Sequence, residues 1–268
     1  MRFELHDVSF GYNHRMLFNH LEVSVEDNTT LTILGPNGVG KTTLLRCMMG
    51  LRHWESGCTM IDGRNLTTIA SKELWQRMSY VPQAKRSPFS YNLLDMVVMG
   101  LNAESKMFSV PSHADYRRAY DVMEWLGIED YARCNTDEIS GGQLQMAFIA
   151  RALVSEPEAL ILDEPESNLD MRNQLRVLQA IERIVARGKT TCIINTHYPE
   201  HALQLSTSTL FLGAGGHWLL GKTQDVVSER NIHDFYQVYA RIIPVGVGKN
   251  CRAVYPYRLA EEPLREET

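Results

Sequence analysis

The stretch that most limits what this chain can become is Gly35-Pro36-Asn37-Gly38-Val39-Gly40-Lys41-Thr42, preceded by the apolar run Leu31-Thr32-Ile33-Leu34 and followed by Thr43-Leu44-Leu45-Arg46. It matches G-x-x-x-x-G-K-[ST] at every fixed position. In a chain of 268 residues that match would arise by accident on the order of one time in a hundred. Glycines allow a strand to curl directly into a helix while backbone N–H groups turn inward, at the positive end of the helix dipole. Such a cradle suits phosphate oxygens. Lys41 adds a mobile cation for the terminal phosphates, and Thr42 a hydroxyl for Mg²⁺. A glycine turn that merely opens a helix is the plain alternative, and the strand-before, helix-after context argues against it.

Composition sets outer bounds. With 44% hydrophobic and 22% charged residues the sequence has the balance of a globular protein, and no window approaches 18 apolar residues in a row. The start, Met1 to Asp7, alternates like a strand and lacks the pattern of a secretion signal, so the chain is expected to stay where it is made. A net charge of −5 gives no general attraction to nucleic acid. Cys47, Cys58, Cys134, Cys192 and Cys251 are odd in number and lack C-x-x-C spacing, which points to buried or idle thiols and not to disulfides or zinc.

Strands are expected over 2–10 and 17–25, with Tyr12 between them as either half-buried packing or a surface for stacking a base. Strands at 57–61 and 78–81 follow, the second running into Pro82-Gln83. Residues 88–101 are strongly apolar, which fits a core-facing helix or a surface that receives a partner helix. Residues 103–112 read as a loop and 113–127 as a helix stopped by Gly127. Ser140-Gly141-Gly142-Gln143 then opens an almost wholly apolar helix, and its bare amides are either a simple cap or a second anion site. The apolar strand Ala159-Leu160-Ile161-Leu162 reads as buried on both faces and ends in Asp163-Glu164. A long helix to about Arg187 and a strand over 190–195 lead to Thr196-His197, and 208–212 with 217–221 form a hairpin. From Val238 the tail has several aromatics and prolines and a charged, frayed end.

Taken together, Tyr12, the loop at 35–42, Gln83, Ser140 to Gln143, Asp163-Glu164, Ser167 to Asp170 and His197 resemble, in order and spacing, the motifs of the ATP-binding subunits of ABC transporters over about residues 1–225. The resemblance implies an α/β fold: a P-loop ABC ATPase core with an antiparallel β subdomain and a helical subdomain, inserted at about 85–158, that carries the signature motif. Residues 226–268 would be a C-terminal extension. ATP and Mg²⁺ are the implied cofactors. Tyr12 would stack the adenine, Gly35 to Thr43 would hold the phosphates, and Ser140, Gly141, Gly142 and Gln143 would face the nucleotide of an opposite subunit. Thr42, Gln83 and Asp163 would serve Mg²⁺. Glu164 would polarise the attacking water, with Gln83, His197 and Lys41 completing the catalytic set, and Ser167 to Asp170 would be the D-loop.

Three positions depart from the family pattern: Ile139 where leucine is usual, Leu144 where a polar residue is commoner, and Glu166 where threonine is usual, which sets a third carboxylate near Asp163 and Glu164. The segment 88–100 further resembles importers of iron chelates, haem, cobalamin and molybdate. The implied partners are a second copy of the chain, transmembrane permease subunits and an extracytoplasmic substrate-binding protein, with the chain on the cytoplasmic face of the membrane; nucleic acid is not implied. In this family the permease and binding protein select the cargo, so its identity is not written here. A different class is a soluble ABC-type ATPase of iron–sulfur cluster assembly, uncoupled from transport.

Overall fold

In the computed structural model, residues 1–12, 15–83, 90–103, 110–246 and 251–260 are described. The chain runs β1 (Phe3–Tyr12), β2 (Arg15–Val25), β3 (Thr30–Leu34), α1 (Lys41–Met48), β4 (Ser56–Ile61), β5 (Arg64–Asn65), α2 (Ser71–Arg77) and β6 (Met78–Val81). There follow α3 (Leu93–Val98), α4 (His113–Leu126), α5 (Gly141–Leu153), β7 (Ala159–Asp163), α6 (Met171–Ala186) and β8 (Thr191–Asn195). The last part is α7 (Pro199–Leu205), β9 (Ser208–Leu212), β10 (Trp218–Lys222), α8 (Thr223–Val226), α9 (Glu229–Tyr236), β11 (Val238–Pro244) and β12 (Arg252–Leu259). The class is α/β, with an antiparallel sheet and a group of helices beside parallel strands, as expected from the sequence. Among the described residues no helix is long and apolar enough to cross a membrane.

Contacts divide the chain into two units. One holds Met1, Glu26–Asn28 and Thr67–Ile193; the other holds Arg2–Val25, Thr29–Leu66 and Ile194–Thr268. In the first, β6 runs parallel to β7 in the register Met78 to Ala159 through Val81 to Leu162. Every residue of β7 is buried, which explains its unbroken apolar sequence. Each such Leu or Ile contributes about 1.5–3 kcal/mol through burial. The helices α3, α4 and α5 pack on one another. Ser112 and Asp115 form a capping box at the start of α4, which ends at Gly127 in a left-handed conformation as the sequence predicts.

In the second unit the antiparallel sheet has the order β2-β1-β4-β5. Here β1 extends to Tyr12, which pairs with Arg15, so Tyr12 belongs to a strand and not to the connection in which the sequence reading had set it. The strand β3 runs parallel to β9, and β9 pairs antiparallel with β10, giving the expected hairpin. Beyond 226 the structure departs from a plain tail. The strands β11 and β12 form an antiparallel hairpin, and α9 packs against β11. The tail's aromatics are mostly the alternating residues of these strands. The expected loop at 103–112 lies partly, and the charged end at 261–268 wholly, outside the described residues.

Candidate nucleotide site

The strand β3 is buried throughout and delivers the loop at its carboxyl end. Two glycines there are not exchangeable. Gly35 has φ +151°, and a Cβ on it would lie 2.3 Å from the carbonyl oxygen of Leu212. Gly40 has φ +111°, and its Cβ would meet Leu17 and Phe18 at 3.0 Å. The loop therefore takes a path that only glycine permits, and it enters α1 with no side-chain cap on the helix. An uncapped positive helix end is what a phosphate group would satisfy.

Lys41 is only 4% exposed. Its Nζ donates to the carbonyl oxygens of Gly35 at 2.8 Å and Pro36 at 3.0 Å, and lies 3.1 Å from Nδ1 of His197. An ammonium has no lone pair, so Nδ1 is the acceptor and the histidine's own N–H sits on Nε2. The fold thus brings together two residues that the sequence separates by more than 150 positions. Thr42 and Thr43 follow in the first turn of α1, half-buried. Asn37 and Gly38 are exposed, and Val39 is buried beneath the loop.

Tyr12 is 39% exposed. Its ring meets Phe10 edge-on at 5.0 Å, and the guanidinium of Arg52 lies 5.0 Å from its centroid. One edge of the ring therefore packs, which is the half-buried reading, while part of the ring stays open. The contact of Arg52 with this ring was not visible in the sequence, because nothing local marks a cation destined for a ring 40 residues upstream.

The other unit carries the carboxylates. Asp163, at the end of β7, is 5% exposed and accepts a hydrogen bond from the hydroxyl of Tyr80 at 3.0 Å. Sequence reasoning missed Tyr80, since a tyrosine in a buried strand ordinarily reads as packing. Glu164 has φ +49°, a conformation uncommon outside glycine, asparagine and aspartate. It is held by Ser167, whose N–H donates to its carbonyl oxygen at 3.1 Å and whose Oγ donates to Oε2 at 3.1 Å. A strained backbone at the end of a buried strand is a common mark of a functional position. Glu166 is 1% exposed.

Ser140 and Gln143 form a capping box. The serine Oγ accepts the Gln143 N–H at 3.3 Å, and Gln143 Oε1 accepts the Ser140 N–H at 2.7 Å. Gly142 is pinned against α6: a Cβ there would lie 2.3 Å from the side chain of Asn173. Asp170 in turn caps α6 through the Asn173 N–H at 2.9 Å. Ser140 and Gly141 stay exposed. The signature residues and the turn 167–170 are therefore neighbours in one unit. Two of the departures have a packing reason, since Ile139 is 5% and Leu144 4% exposed, so both serve the helix core. Gln83 lies half-buried, two residues past β6.

The oxygen donors present, the Thr42 hydroxyl and the Asp163 carboxylate, have the hard character that Mg²⁺ takes, and a magnesium ion needs only one or two protein ligands beside phosphate. Each, within its own unit, is a donor of the kind that ion takes, and the uncapped, glycine-built loop fits a nucleoside triphosphate.

Comparison with known proteins supplies a family. The family described as ABC transporter matches residues 18–167. A Helicobacter pylori ATP-binding protein assigned to iron chelatin transport is 30% identical over 88% of this chain and 93% of its own. The molybdate import ATP-binding protein of Haemophilus influenzae is 31% identical over 84% of each. Among solved structures, one described as an inward-facing metal-chelate type ABC transporter superposes with a TM-score of 0.83 at 27% identity, covering 96% of both chains.

Proposed function

Because this chain belongs to the ABC transporter family, we propose that it is the ATP-hydrolysing subunit of a membrane importer for a metal chelate or a related cofactor or oxyanion. Two copies close around two MgATP. In each, Lys41 neutralises the phosphates, Thr42 and Asp163 serve Mg²⁺, and Glu164 polarises the attacking water. Gln83 and His197 keep the terminal phosphate and water in line. Phosphoryl transfer to water needs this kind of charge neutralisation and positioning more than covalent help. Ser140 to Gln143 complete the site of the opposite copy, and Tyr12 stacks the adenine.

The observation that carries the reading is the junction of Lys41 with the Gly35 and Pro36 carbonyls and His197. The lysine lies across the cradle, bound to groups that phosphate oxygens can replace. Relatives assigned to iron chelatin transport and molybdate import support the transport role and the choice of cargo class, and weigh against a stand-alone assembly ATPase.

Coupling to the permease is proposed at α3. Leu93, Met96, Val97 and Val98 are buried core, whereas Tyr91 and Met99 are exposed. These two line a cavity of about 270 Å³ with Asn92, Asp95, Pro111 and Tyr116. Phe89, part of the same apolar stretch, lies outside the described residues.

The test is phosphate release from MgATP. Wild-type protein should hydrolyse ATP, and Lys41→Ala should lower kcat/KM at least a hundredfold, the scale seen when one charged stabiliser of a transition state is removed. Equal rates in the two proteins would refute the assignment.

A further inference from the structure

Tyr236 ends α9, in the stretch beyond 226 to which the sequence attached no role. Its hydroxyl accepts the N–H of Gly35 at 3.0 Å and makes a longer contact, 3.5 Å, to the carbonyl oxygen of His197. Gly35 in turn offers its carbonyl to Lys41, and Lys41 reaches the ring of His197. Tyr236, Gly35, Lys41 and His197 thus form a closed circuit of hydrogen bonds around the first residue of the phosphate loop. A phenol can accept and donate at once, so one hydroxyl serves both backbone groups.

The mount of that hydroxyl is firm. Phe235, next to it, is buried in a cluster with Leu34, Phe211 and Val227, against which Tyr236 also packs. The ring of Tyr236 stands edge-on to Phe211 at 6.3 Å. Ser228 caps α9 through the Asn231 N–H at 3.2 Å. Glu229 ties the helix to β11, accepting the Ile242 N–H at 3.0 Å and a guanidinium proton of Arg241 at 3.0 Å. Burial drives the Tyr236 hydroxyl well above the usual tyrosine range, so it keeps its proton for His197 at any ordinary pH.

We propose that Tyr236 is a positioning residue for nucleotide binding: it fixes the entry of the phosphate loop against His197, with α9 and the β11–β12 hairpin as its support. The inference rests on the reading of residues 35–42 as the ATP cradle. The C-terminal stretch is then part of the machinery, because it anchors the N–H of Gly35, the residue whose carbonyl holds Lys41.

Tyr236→Phe tests this by deleting one oxygen while keeping the ring. The dissociation constant for MgATP, measured by calorimetry well below the melting temperature, should rise about five- to tenfold, the scale of one lost hydrogen bond. Amide hydrogen exchange of peptides spanning 35–40 in the nucleotide-free protein should quicken by a similar factor. Tyr255→Phe, on a side chain of β12 that is 61% exposed, should alter neither. A lower melting temperature for Tyr236→Phe with unchanged affinity and unchanged exchange would reduce Tyr236 to packing and overturn the proposal, as would equal effects from Tyr255→Phe. Failure of the wild-type protein to bind MgATP would instead count against the nucleotide reading, and the exchange measurement, which uses no nucleotide, would still judge the circuit.

Discussion

Lys41 and Glu164 show how much a single residue's setting matters. Lys41 is drawn into the chain's own carbonyls, and Glu164 is held in a left-handed backbone by Ser167. Both were legible as motif positions, because a phosphate cradle and a buried strand ending in carboxylates fix residue type and spacing. Tyr80 on Asp163, Arg52 on Tyr12 and Tyr236 on Gly35 were not, since each reaches its target through the tertiary fold and leaves no local pattern. The cysteines allow a test of burial at this scale. Burial pushes the thiols of Cys47 and Cys192 up to about 12, so at pH 8 only about one in ten thousand of either is thiolate. Cys251 is exposed. In native protein at pH 8 a thiol reagent should modify Cys251 promptly and leave Cys47 and Cys192 untouched until the chain is unfolded. Peptide mapping that found Cys192 labelled as fast as Cys251 would contradict the buried strand β8.

Among the elements, α3 carries the question of core or docking face. Helical period divides its described part: Leu93, Met96 and Val97 turn inward as core, while Met99 just past the helix stays 43% exposed, and the docking role of that exposed side is the proposal. Tyr116 donates to Asp95 at 2.9 Å, which gives the groove a polar wall beside its apolar floor. Met99→Glu should therefore leave soluble ATPase activity within about twofold, the usual tolerance of an exposed position, and abolish ATP-driven uptake in vesicles carrying the permease. Full uptake by that variant would remove α3 from the proposed permease contact. The hairpin β11–β12 and α9 show the opposite case. Prolines at 244 and 256 and the tail's mixed polarity hid them, because Pro256 lies beside a register shift in an exposed two-stranded ribbon, a place where proline is tolerated.

For the whole molecule, the central claim is that each chain contributes to two nucleotides. One unit holds the glycine loop, Lys41 and His197, and the other holds Asp163, Glu164 and the exposed Ser140-Gly141 end of α5. Family membership and the α/β class could be read before any coordinates, since conjunction of short motifs in order is far rarer than any one of them. What the sequence could not supply was the hydroxyl circuit of Tyr236, which depends on a cluster assembled from residues 34 to 235. If two copies close on MgATP, removing the base that completes hydrolysis should trap them together. Sedimentation of Glu164→Gln at saturating MgATP is the most direct test: the account predicts a species of twice the 30.5 kDa chain mass that reverts to monomer when Mg²⁺ is chelated, and a variant that binds MgATP yet sediments only as monomer would contradict it.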